Sequence, residues 1–112
     1  MGECILAGHP QGGKIGDGTY TGDGQATRTI SLGVTPKWVL VFDTKGRTAQ
    51  YIYTSSGYRP NAYYGGLAIT GSPSTAVSIV DGGFAVAYVD DTYGDDICTN
   101  YSGQAYNYIY GT

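Results

Sequence analysis

Apolar and polar positions follow one another along this chain in short windows, and few run beyond seven residues. Residues 27–32, Thr-Arg-Thr-Ile-Ser-Leu, alternate by type and are rich in β-branched side chains, the pattern of a half-buried strand. Residues 38–42, Trp-Val-Leu-Val-Phe, form a near-continuous apolar run. Such a run predicts a central strand covered on both faces. Between the two, residues 33–36 turn the chain, with Thr35 held extended by Pro36. Upstream, residues 19–21 read as a short extended piece, and Gly22-Asp23-Gly24 as a turn that uses glycine's tolerance of positive φ. Residues 18–42 therefore read as strand, turn, strand, turn, strand.

The same reading places further strands at 48–54, 67–70, 76–80, 83–89 and 104–110, and a short one at 4–7. Two longer loops separate them. Loop 55–66 carries three tyrosines; loop 90–103 carries Cys98 and four aspartates. Asp81-Gly82-Gly83 signals a hairpin between 76–80 and 83–89. Along 83–89, Phe84, Val86 and Tyr88 share one face, while Tyr106, Tyr108 and Tyr110 share one face of the last strand. The expectation is an all-β fold, an antiparallel β-sandwich of about six to eight strands, whose aromatic faces turn outward to meet a neighbour. Residues 1–17 form an extended N-terminal arm in this reading and 18–112 the sandwich domain.

Composition narrows the function classes. A chain of 112 residues makes one domain with a modest core, and 19 glycines and 4 prolines interrupt it too often for long helices. The net charge of −3, with Arg28, Lys37, Lys45, Arg47 and Arg59 scattered, argues against a nucleic-acid binder, which needs a basic patch. Twelve tyrosines among few charges favour extensive contact with other chains or ligands. The first residues lack the basic start and apolar length of a secretory signal, and no stretch reaches membrane-spanning length. No membrane insertion is expected. Cys4 and Cys98 then default to reduced thiols, with a disulfide between arm and domain as the alternative.

Reactive constellations are scarce. Gly8-His-Pro-Gln-Gly-Gly-Lys14 has the spacing of a phosphate-binding loop, but Ile15 follows where a metal-coordinating Ser or Thr is needed. Gly16-Asp17-Gly18 also precludes the helix that would aim its amides at a phosphate. His9 is the sole histidine, so neither a histidine-rich zinc site nor a convincing triad can be assembled. Asp90, Asp91, Asp95 and Asp96 offer the oxygen donors a calcium ion would want, although a solvated turn explains the cluster as well. No cofactor is otherwise implied. Asn100-Tyr-Ser102 matches a glycosylation acceptor formally, incidental without an export signal.

The order Gly-Thr-Tyr-Thr-Gly-Asp-Gly from Gly18, Arg28-Thr-Ile-Ser-Leu-Gly-Val-Thr-Pro-Lys-Trp-Val-Leu-Val-Phe42, Gly66-Leu-Ala, Ile79-Val-Asp-Gly-Gly-Phe-Ala-Val and Tyr106-Asn-Tyr-Ile-Tyr-Gly111 resembles small virion proteins of tailed bacteriophages, including modules at tail-fibre ends. It is also distantly similar to H-type lectin domains. The resemblance spans roughly residues 18–111 and implies an antiparallel sandwich that often assembles as a trimer. Where the lectin pattern usually ends Trp-x-Ala-x-Gly, this chain has Tyr108-Ile-Tyr-Gly111.

The expected function is that of a non-enzymatic structural protein in a phage particle or similar assembly. It would decorate the surface or extend the tail as a homo-oligomer, with a trimer favoured, beside other virion proteins. It would be made in the host cytoplasm and located in the virion, with the arm at 1–17 crossing onto an adjacent subunit. The alternative is a receptor- or glycan-binding adhesin that recognises a host surface glycan. Its candidate contacts are Tyr58, Arg59, Asn61, Tyr63 and Tyr64 in one group, and Tyr93, Asp95 and Asp96 in another.

Overall fold

A computed structural model describes residues 13–51, 61–91 and 94–112. Among them are ten strands and no helix: β1 (Ile15–Thr21), β2 (Thr27–Ser31), β3 (Trp38–Asp43), β4 (Ala49–Tyr51), β5 (Asn61–Tyr63), β6 (Gly66–Ile69), β7 (Ser78–Val80), β8 (Gly83–Val89), β9 (Asp96–Cys98) and β10 (Ala105–Gly111). The expected all-β sandwich is the fold observed, with more and shorter strands than expected. One sheet has the order β1-β10-β3-β6; the other runs β2-β8-β9-β5-β4, with β7 also on β8. All pairings are antiparallel except β5 with β9. The opening unit is therefore not a meander, because β1 and β3 lie in one sheet and β2 in the other.

The expected arm loses its last residues to the fold. Ile15, Gly16 and Asp17 belong to β1 and pair with Gly111, Tyr110 and Ile109 of the same chain. Residues 1–12, with the short strand expected at 4–7, Cys4 and His9, lie outside the described residues.

Register sets which side chains meet. Gly16, Gly18 and Tyr20 stand opposite Tyr110, Tyr108 and Tyr106, and the last three stand opposite Val39, Val41 and Asp43 on the other side. This is the inner face. Tyr20 stacks on Tyr106 with ring centroids 4.9 Å apart, and Phe84 of the facing sheet meets Tyr108 edge-on at 5.1 Å. Val39, Val41, Ala68, Ile30, Val77 and Val86 complete the buried cluster. The expectation that the tyrosine face of the last strand points outward is thus corrected: Tyr106 is fully buried, and Tyr108 and Tyr110 pack against the core.

Two glycines explain how three tyrosines fit on one inner strand face. A Cβ on Gly16 would clash with the phenol end of Tyr110, and one on Gly18 with that of Tyr108. The missing side chains leave space for the side chains directly opposite, so the phenol end of each tyrosine lies over its glycine. What looked like a breaker sequence is a strand shaped to receive aromatic side chains.

One end of the sandwich is held by buried polar groups. Thr99 is wholly buried; its hydroxyl donates to the Ala76 carbonyl at 2.9 Å and accepts the Ala87 N–H at 2.9 Å. It fills the gap where β9 departs from β8, whose pairing covers only Tyr88–Cys98 and Val89–Ile97. Asn100, also buried, donates to the Asp23 carboxylate at 2.7 Å and to the Gln25 carbonyl at 3.0 Å. Residues 22–25 are thereby tied to the turn before β10. A buried, fully engaged Asn100 is closed to glycosylation in the folded chain.

Candidate functional site

Two surfaces stand out, the outer face of the four-stranded sheet and a cleft at one end of the sandwich. The outer face follows from the same register. Ile15, Gly111, Trp38 and Ile69 form one row across β1, β10, β3 and β6; Asp17, Ile109, Leu40 and Leu67 form the next; Thr19, Asn107 and Phe42 the third. Seven of these residues are large and apolar, and Asp17 at the edge is the one charge among them. Ile15 is 77% exposed, Leu67 50% and Ile69 49%, while Trp38, Leu40, Phe42 and Ile109 are part-exposed.

This corrects the reading of β3 as covered on both faces. Only Val39, Val41 and Asp43 are fully buried, and the alternate residues meet solvent in the described chain. A continuous apolar run does not distinguish a strand buried inside one subunit from a strand with an uncovered apolar face. That ambiguity hid the face from sequence reasoning.

The cleft is built by the turn after β3, the end of β5 and the segment from β9 to β10. Asp43 organises the first part. Its carboxylate accepts the N–H groups of Lys45 and Arg47 at 2.9 and 2.8 Å, and Arg47 Nε at 2.7 Å. Burial alone would raise the Asp43 pKa, but these donors and the guanidinium charge outweigh it and hold the carboxyl below its usual range. Arg47, held in this way, lies over the Tyr64 ring with its guanidinium carbon 4.3 Å from the centroid.

Tyr106 forms the floor. Its hydroxyl donates to the Cys98 carbonyl and accepts the Tyr101 N–H at 3.1 Å. Burial pushes its pKa up to about 12. Tyr101, 51% exposed, also lines the cleft and meets Tyr88 edge-on at 5.5 Å. Arg47, Tyr64, Cys98, Tyr101, Gln104 and Tyr106 enclose a volume of about 250 Å³. Burial, with Asp96 and Asp90 nearby, raises the Cys98 pKa, so the thiol stays protonated and is a poor nucleophile. The cleft therefore offers rings and hydrogen-bonding groups, and among the described residues no histidine or carboxylate lines it to act as a base.

The expected site residues divide. Tyr58, Arg59 and Tyr93 lie outside the described residues. Asn61 opens β5, and its N–H donates to the Asp95 carboxylate at 2.9 Å. The parallel pairing of Ala62 with Asp96 and Tyr63 with Ile97 thus brings the two expected groups side by side. Tyr63 and Tyr64 separate: the first packs against the core, the second lines the cleft. Asp96 accepts the Asp91 N–H at 3.0 Å, while Asp90, Asp91 and Asp95 are exposed. Among the described residues, no three aspartate, glutamate, cysteine or histidine side chains converge to hold a metal ion. The calcium candidates Asp90, Asp91, Asp95 and Asp96 therefore do not form a site together there. Tyr101, Gln104 and Arg47 were missed because the turns carrying them are far apart in sequence and bear no motif.

No family model, curated protein or solved structure matches this chain.

Proposed function

We propose that this protein is a non-enzymatic packing subunit, a structural protein of a phage particle or similar assembly that decorates its surface or extends its tail. The observation carrying this reading is the apolar outer face of β1, β10, β3 and β6, with Trp38, Leu40, Phe42, Leu67, Ile69, Ile109 and Ile15 aligned in register. Four strands about 4.8 Å apart and about 20 Å long present on the order of 400 Å². A patch of about 400 Å² matches the largest found on single domains, which are often functional, and depletion of charge is the mark of an interface centre. A standard interface takes roughly 800 Å² from each partner, so contacts elsewhere on the subunit would complete the assembly. The occupant we assign to this face is a second copy of the chain. The resemblance to tailed-phage virion proteins supplies the particle and favours a trimer.

Sedimentation velocity tests the reading. A homo-oligomer is expected at about 100 μM chain. Replacement of Leu67 or Ile69, both half-exposed, by lysine is expected to drive it to monomer without lowering the melting temperature of the isolated subunit. A wild-type monomer under these conditions, or an oligomer indifferent to both substitutions, would overturn the proposal.

A further inference from the structure

We propose that Tyr88 and Tyr101 are a site of oxidative modification, joined ring to ring as dityrosine so that β8 is stapled to the turn before β10. This goes beyond the packing reading and does not depend on it, since neither residue lies on the outer face of the four-stranded sheet.

Geometry comes first. The two rings meet edge-on, with centroids 5.5 Å apart and planes at 61°. An edge-on contact aims the ring carbons of one phenol at the other, where a carbon–carbon bond would form. Both backbones are fixed. Tyr88 stands opposite Cys98 in the ladder between β8 and β9, and its N–H donates to the Ala26 carbonyl at 3.2 Å. The Tyr101 N–H donates to the Tyr106 hydroxyl at 3.1 Å. The fold thus holds the pair together before an oxidant arrives, and coupling becomes an intramolecular step of high effective concentration.

Access separates this pair from the others. Tyr101 is 51% exposed and Tyr88 part-exposed. Among the described residues, Tyr20–Tyr106, Tyr20–Tyr108 and Tyr108–Tyr110 also make ring contacts, but these four belong to the core or pack against it. The Tyr20 and Tyr106 hydroxyls are also committed to the Thr99 and Cys98 carbonyls, which are poor proton acceptors. A phenol that loses an electron must shed its proton too. Asp90 and Asp96 act on the Tyr88 phenol, and their carboxylates can take that proton. Partial burial, and next Asp90, raise the Tyr88 pKa, so the proton is still present when the electron leaves.

The reaction balances with a peroxidase and hydrogen peroxide as the oxidant. Each phenol gives up one electron and one proton, and the two phenoxyl radicals join through ring carbons ortho to their oxygens. The hydrogens on those two carbons then move as protons to the oxygens, which restores both phenols. The pair loses two hydrogens in all, and the peroxide is reduced to two waters. The new bond closes residues 88–101 into a loop around β9, which restricts the unfolded chain.

Oxidation of the purified chain by peroxidase and hydrogen peroxide, at low protein concentration, tests the assignment. A monomer lighter by two hydrogens is expected, with the blue fluorescence of dityrosine and a higher melting temperature than the untreated chain. Cleavage before aspartate leaves Tyr88 as the one tyrosine of fragment 81–89 and Tyr101 in fragment 96–112. These two fragments should be recovered joined, with the bond at Tyr101. Tyr88→Phe and Tyr101→Phe keep the packed rings and remove the phenols, and each should abolish the product. Tyr64→Phe, which alters the neighbouring tyrosine of the cleft, should leave the yield unchanged. Absence of the product would overturn the proposal. So would a bond that maps to any other tyrosine or to Cys98, cross-linked dimers without the internal link, or a product that survives in both phenylalanine variants.

Discussion

Single residues carry more of this fold than composition suggests. Gly18 is a strand residue whose missing side chain holds the Tyr108 ring. Gly18→Ala should therefore cost about 1–3 kcal/mol by overpacking, read by urea denaturation. In the background of Tyr108→Leu, which removes the ring, the same substitution should cost much less. Asp43 is the other decisive residue, buried yet ionised because Lys45 and Arg47 donate to it. Its folded pKa lies below the unfolded one, so its contribution is complete above about pH 4 and is lost as pH falls through the folded value. Asp43→Asn should lower stability at neutral pH and flatten the loss of stability as pH falls below about 4. A denaturation series across that range, run on both proteins, checks it. An unchanged acid slope would show that Asp43 is not the group responsible.

At the scale of elements, most strands were legible, β4, β6 and β7 included, whereas β5, β9 and the first half of β1 were not. Residues 27–32, 38–42, 83–89 and 104–110 announced β2, β3, β8 and β10 through alternation or apolar runs. The strands β5 and β9 fell in stretches read as loops. Each is three residues long and is fixed by two neighbours, β4 and β9 for β5, β8 and β5 for β9, relations no local window contains. Facing direction was the second loss. Alternation says which residues share a face, but the glycines of β1 decide that the tyrosines of β10 turn inward. The cleft was legible only at Tyr64, since Arg47, Tyr101 and Gln104 come from turns placed by Asp43, Thr99 and Asn100. Thr99 is the element-scale test. Thr99→Val keeps the shape but leaves the buried Ala87 N–H without its acceptor, and should cost about 1–3 kcal/mol in thermal or urea unfolding. A loss near zero would mean that β8 and β9 are held together by other contacts.

At the scale of the whole molecule, the two sheets do different work in this account. Their inner faces bury tyrosine, valine and phenylalanine in a mixed aromatic core. The outer face of the four-stranded sheet is apolar and uncovered among the described residues, and we assign it to contact between copies. The cleft sits apart from it, so a subunit packed through the sheet could still present the cleft to solvent. Base titration offers a global check on the core. Tyr106, pushed up to about 12 by burial, and Tyr20, also raised by burial, should keep their protons at about pH 10, where a free tyrosine loses its own. Because their folded pKa values are raised, their contribution to stability is present below about pH 10 and falls as pH rises beyond it. A late rise of absorbance at tyrosinate wavelengths should coincide with unfolding, as the buried pair is released.

Trp38 supplies the most direct measurement, because it is the single tryptophan of the chain and lies on the outer face with its indole across Gly111. Its fluorescence should be followed with increasing protein concentration, together with its accessibility to acrylamide. If copies pack through this face, emission should shift to the blue and quenching should fall over the concentrations at which mass increases, with both changes abolished by Leu67→Lys. Emission and quenching that stay constant while the mass increases would place the contact elsewhere and contradict the account.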